Sequence, residues 1–218
     1  MKRSACVDVF PDASSAAAAL ADFGRSFAPP SSVRTAAEVV DYSTEGAWIR
    51  QLARKFVGVA GIYRRWAEEN VPRMIKSSRY VINQEQFDLL VRRTGMDLLR
   101  TWRDRSADKR ARLSLGAAFR IVDGLFMSIN EAEGCRSSLI QAFLHVPLEG
   151  STLKPLRLCV DELLDRDFAI EIPTVVPAGF VATEEQYVLL QEAIFALAAR
   201  AGVPPILYGY FCADFNLS

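Results

Sequence analysis

From Asn83 to Trp102 the sequence sustains one helical register, and that register decides which residues face inward and which face water. Asn83 is a strong N-cap type, and Gln86 stands three residues later, the spacing of a capping box. Phe87, Leu90, Val91, Leu98 and Trp102 then fall on one side of a 3.6-residue helix. At about 100° per residue, Arg92, Arg93, Arg100 and Arg103 share a single arc on the other side. A chain that buries Phe87 and Trp102 on this helix must therefore present those four arginines together.

The same periodicity recurs along the chain. Between Glu45 and Glu69, the residues Trp48, Leu52, Phe56, Val59, Tyr63 and Trp66 recur at spacings of 4, 4, 3, 4 and 3, one apolar stripe. Gly58 and Gly61 weaken that helix by about 1 kcal/mol each, which predicts a kink or close packing, and Pro72 is expected to end it. Asp108–Ile129 predicts a third helix, with Leu115, Phe119, Val122, Phe126 and Ile129 inward. A short helix is expected over Ser137–Leu144, and another after Ser151 or Thr152, with Pro155 tolerated in its first turn. Thr183 and Gln186 repeat the capping-box spacing and open a helix that Gly202 closes. Asp12 is placed to cap an Ala-rich helix over Ser15–Phe23, ended by Gly24.

Three pieces read as extended: Ser78–Ile82, the alternating Phe168–Pro173, and the aromatic-rich Ile206–Phe215 as strand or coil. The expected fold class is therefore mainly α, a compact bundle of five or six helices with two or three short strands or extended segments. No strand–helix–strand alternation is evident, which argues against a doubly wound nucleotide-binding sheet. The expected organisation is a lead-in segment over residues 1–33, ending at the Pro29-Pro30-Ser31-Ser32 punctuation, and a single α-rich domain over 34–218.

Charge is sorted along this framework. Residues 50–112 hold 16 Lys and Arg against 7 Asp and Glu, whereas residues 113–218 hold 6 against 13. The formal net charge of zero conceals that polarity. Such a pattern speaks to partners and association rather than to fold. Arg outnumbers Lys by 21 to 5, and the planar guanidinium fork suits carboxylates and phosphates. Lys2 and Arg3 precede an apolar stretch interrupted by Asp8, Pro11 and Asp12, a poor secretory leader. The expectation is an intracellular, cytoplasmic protein without a membrane association.

Candidate chemistry is sparse. Cys6, Cys135, Cys159 and Cys212 have none of the close spacing of a zinc site. Asp161, Glu162, Asp165 and Asp167 cluster, but around several sides of one helix and beside Arg166. His145, the single histidine, stands four residues before Glu149 with Pro147 between them, which predicts a turn rather than a helical pair. An enzyme built on His145, Glu149 or a cysteine is one class of function. The sequence marks no orienting carboxylate for it. The expectation is no catalytic residue, no metal and no cofactor. Segments 175–179 and 202–205 lack the Lys and Ser/Thr of a phosphate loop.

The arginine arc continues into Arg105, Lys109, Arg110 and Arg112. These eight cations are the expected partner-binding or phosphate-binding residues. The leading reading is a non-enzymatic regulator or adaptor that docks to a protein partner, or to itself as a homo-oligomer, by complementary charge. The alternative is a nucleic-acid-binding protein that uses the same segment on phosphates. Phe143 to Glu149, following a helix, is loosely similar to the helix–turn layout of helical DNA-glycosylase-like domains over about a fifth of the chain. It lacks the Gly-rich hairpin and the Lys or Asp at catalytic spacing. That resemblance would imply a repair-like or an inactive DNA-binding domain. A pI near 6.6 is low for a dedicated nucleic-acid binder.

Overall fold

The computed structural model describes residues 9–28, 33–55, 58–106, 112–132, 138–164, 170–177 and 179–215. The chain is mainly helical, and its contacts divide it into two compact units, residues 30–144 and residues 1–29 with 145–218. In chain order, α1 (Ala13–Ser26) belongs to the second of these. The first holds α2 (Ala36–Thr44), α3 (Ala47–Lys55), α4 (Val59–Ser78), α5 (Gln84–Arg105), α6 (Leu115–Asn130) and the short α7 (Ser138–Gln141). Then come α8 (Gly150–Leu153), a 3-10 turn over Lys154–Leu156, α9 (Val160–Leu164), α10 (Glu184–Ala201) and α11 (Ile206–Phe215).

In the 30–144 unit, α4 packs on α2, α3 and α5, and α6 packs on α2 and α5. The inward residues of α5 are those its register demands: Phe87, Val91, Leu98 and Trp102 are buried. Phe87 meets Phe126 of α6 edge-on at 5.2 Å between ring centres. Asn83 caps the helix as expected, its side chain accepting from the Gln86 amide. The Gln86 side chain accepts from Ile82 N–H, one residue before the cap.

The stripe from Trp48 to Trp66 is divided between two helices. Gly58 is the N-cap of α4 at φ 84°, a left-handed conformation that glycine takes without a side-chain clash. Pro72 lies inside α4 instead of ending it. Its exposed position lets water reach the carbonyl that loses a helical bond, while Val71, Met74 and Ile75 stay buried on the other side. The α6 helix starts at Leu115 behind the Ser114 cap, later than the expected Asp108, and residues 107–111 lie outside the described residues.

In the other unit, α1 packs on α10, α11 and α9. Asp12 caps α1 through Ser15 N–H, and that hydrogen bond holds its carboxyl below the ordinary range. Gly24 sits inside α1, where a Cβ would come within 2.8 Å of Val203. Thr183 and Gly202 bound α10 as read, with Gly202 left-handed at φ 67°.

The expected strands are not borne out: no strand exists among the described residues, only an isolated bridge between Arg34 and Ala132. Ser78 ends α4, and Tyr80 and Val81 donate back to Ser77 and Ser78. Those turn bonds span the five residues between two long helices. Residues 170–173 form no regular element, while Phe168 and Ala169 lie outside the described residues. The tail 206–215 is α11. Pro204 and Pro205 lead into it, their carbonyls accepting from Leu207 and Tyr208, and Tyr208, Phe211 and Cys212 are buried at helical spacing.

Candidate functional site

The same register that buries Trp102 leaves Arg92, Arg93, Arg100, Arg103 and Arg105 exposed along α5, with Arg112 exposed beyond its end. Lys109 and Arg110 lie outside the described residues. The ion pairs described on this face lie at the surface. Arg100 pairs with Asp97 one turn back, Arg103 with the adjacent Asp104 at 3.2 Å, and Arg105 with Glu69 of α4 at 3.4 Å. Side chains of Arg100 and Arg103 remain 65% and 77% exposed despite these pairs. Surface ion pairs of this kind contribute at most about 1 kcal/mol, so a competing carboxylate or phosphate can take the guanidinium over.

Asp97 divides its two oxygens between structure and surface. Oδ2 accepts from the indole N–H of Trp66 at 2.9 Å, and Oδ1 holds Arg100. Trp66 is 1% exposed, so Asp97 ties a buried side chain of α4 to the rim of α5. Asp97 is not marked by the sequence pattern, where it stands between the apolar and the basic sides of the helix.

A cleft of about 1120 Å³ opens against the C-terminal half of α5. Met96, Leu99, Trp102 and Leu113 supply apolar wall, and Arg93, Arg100, Arg103 and Arg112 supply its cations, with Asp97 among them. Four of the eight expected residues are therefore brought together around one concavity, and its apolar lining is new. Arginine forks over an apolar wall suit an anion carried next to an apolar group, because the fork fixes orientation and the wall gains from burial.

The remaining candidates are absorbed by the fold of the unit that contains 145–218. His145 is 7% exposed, and its Nδ1 shares a hydrogen bond with the Tyr187 hydroxyl at 2.8 Å. The carboxylate of Glu149 accepts from Ser151 at the start of α8. Glu162 accepts from Ala13 N–H at the head of α1 and from Arg200 at the end of α10. Asp161 is exposed, and Asp165 and Asp167 lie outside the described residues, as do Cys6 and Cys135. Cys159 and Cys212 are buried free thiols. Burial pushes the Cys159 thiol up to about 11 and the Cys212 thiol up to about 12. Thiolates are the nucleophilic form, so neither is activated for chemistry.

Among the described residues no single helix is long and apolar enough to cross a membrane. No known protein family, curated protein or solved structure matches the chain significantly.

Proposed function

We propose that the protein is a non-enzymatic regulator or adaptor that docks to an acidic face of a protein partner through α5. One observation carries this reading: Arg93, Arg100 and Arg103 of α5, with Arg112, line an apolar-walled cleft, and the pairs that Arg100 and Arg103 make with Asp97 and Asp104 leave both guanidinium side chains mostly exposed. Complementary charge accelerates encounter and sets register, while Met96 and Leu99 offer apolar area for an anchor side chain. The apolar lining favours a protein over nucleic acid, whose phosphates need cations but little apolar wall.

The test is a photo-cross-linking residue placed at position 96 in the native host, with the captured protein identified by mass spectrometry. The expected result is one reproducible partner, lost in the Arg92→Glu/Arg93→Glu/Arg100→Glu/Arg103→Glu variant. Binding to generic duplex DNA that falls steeply with salt, with no protein captured, contradicts docking and favours the phosphate reading.

A further inference from the structure

On α5 the residues Leu89, Arg93, Met96 and Arg100 are exposed and follow one another at spacings of 4, 3 and 4. At about 100° per residue they occupy one narrow ridge. On α10 the exposed Glu185, Val188 and Glu192 recur at 3 and 4, and half-buried Ala196 follows at 4. Run in opposite directions, the two series pair off to within one residue: Leu89 opposite Ala196, Arg93 opposite Glu192, Met96 opposite Val188, and Arg100 opposite Glu185. Met96 is 50% exposed and Val188 44%, so each cation–anion layer flanks an apolar layer that solvent still reaches.

We propose that the α10 face of a second copy of this chain docks antiparallel on α5. This rests on the docking reading above and names the partner. Opposed helix dipoles favour the antiparallel direction. The sorted charge selects the unlike pair, since this ridge of α5 offers a second α5 cations and no anion, and this ridge of α10 offers a second α10 anions and no cation. The contact joins two different surfaces, so it is heterologous and adds copies by the same operation. Its ion pairs are shallow, which makes association dependent on both concentration and salt.

Sedimentation equilibrium of the full chain is the test. The weight-average mass should climb from the monomer's 24.2 kDa toward twice that value or more as concentration rises from micromolar to near-millimolar. It should return to the monomer in about 1 M salt, where the screening length is about 3 Å. Arg93→Glu/Arg100→Glu and Glu185→Arg/Glu192→Arg should each remain monomeric alone and associate when mixed, because the reversed α5 of one then meets the reversed α10 of the other. That rescue also requires both variants to be folded. Mixed Met96→Cys and Val188→Cys proteins should form a disulfide-linked pair that neither forms alone above the wild-type background. A monomeric wild type at every concentration, or reversed variants that stay monomeric when mixed, overturns the second-copy inference. If the wild type is monomeric yet Arg93→Glu/Arg100→Glu abolishes partner capture, docking stands and only the identity of the partner fails. If neither mass nor capture responds to charge reversal, both fall.

Discussion

Polar side chains serve opposite purposes on the outer face of α5 and in the interior formed by residues 145–218. In that interior several buried polar groups are committed to backbone positions. Gln191 accepts from Val146 N–H and donates to Val146 C=O, while the Tyr208 hydroxyl donates to the Thr152 carbonyl at 2.6 Å. Thr152 in turn donates to the Pro147 carbonyl at 2.8 Å. These bonds fasten the irregular stretch 144–149 and the short α8, which have little regular hydrogen bonding of their own. On α5 Arg100 and Arg103 stand largely in water, with surface partners that solvent and salt can replace. Burial obliges a polar group to find a fixed partner, and exposure releases it for an external one.

Substitutions on each side can break or sharpen that contrast. The largest effect belongs to the apolar face of α5: Trp102→Ala should destabilise the protein by about 3–5 kcal/mol in chemical denaturation. A near-neutral result would reverse the assignment of buried and exposed sides. Gln191→Leu keeps the volume but leaves Val146 N–H and C=O without partners, so a loss of about 1–3 kcal/mol is expected. Tyr208→Phe removes one donor and should cost about 0.5–1.5 kcal/mol by the same assay.

Smaller still is the effect of the buried thiols. An ordinary thiol ionises near 9.0, whereas burial pushes Cys159 up to about 11 and Cys212 up to about 12. Above pH 9 the unfolded chain therefore releases protons that the native chain keeps, and stability falls as pH rises. Replacing both by serine should flatten part of that decline, measured as denaturation midpoint against pH. It should leave native-state labelling by a thiol reagent unchanged. Smallest of all is the thermal effect of reversing the arginines, since exposed substitutions shift stability by about 0.5 kcal/mol or less each.

Much of this contrast is legible in the sequence where local chemistry decides it. The Asn83 and Thr183 caps, the Gly202 stop and the burial of Phe87, Val91, Leu98 and Trp102 follow from period and capping alone. The α2 helix escaped notice although Thr35 and Glu38 carry a complete capping box. Its nine residues are too few for a periodic stripe to declare itself. The α11 helix was hidden because apolar residues surround it, so no side contrasts with another. The passage of α4 through Pro72 depends on tertiary packing that outweighs a lost hydrogen bond. The cleft was out of reach for a different reason. It needs residues 112–113 beside α5, a proximity that no spacing within either segment encodes.

Melting and partner capture measured side by side on the Arg92→Glu/Arg93→Glu/Arg100→Glu/Arg103→Glu protein test most directly whether that face is free to act outside the molecule. The expected result is an unchanged helical content and melting temperature with capture abolished. A variant that unfolds would make the arginines part of the scaffold, and a folded variant that still captures its partner would move the docking surface away from α5.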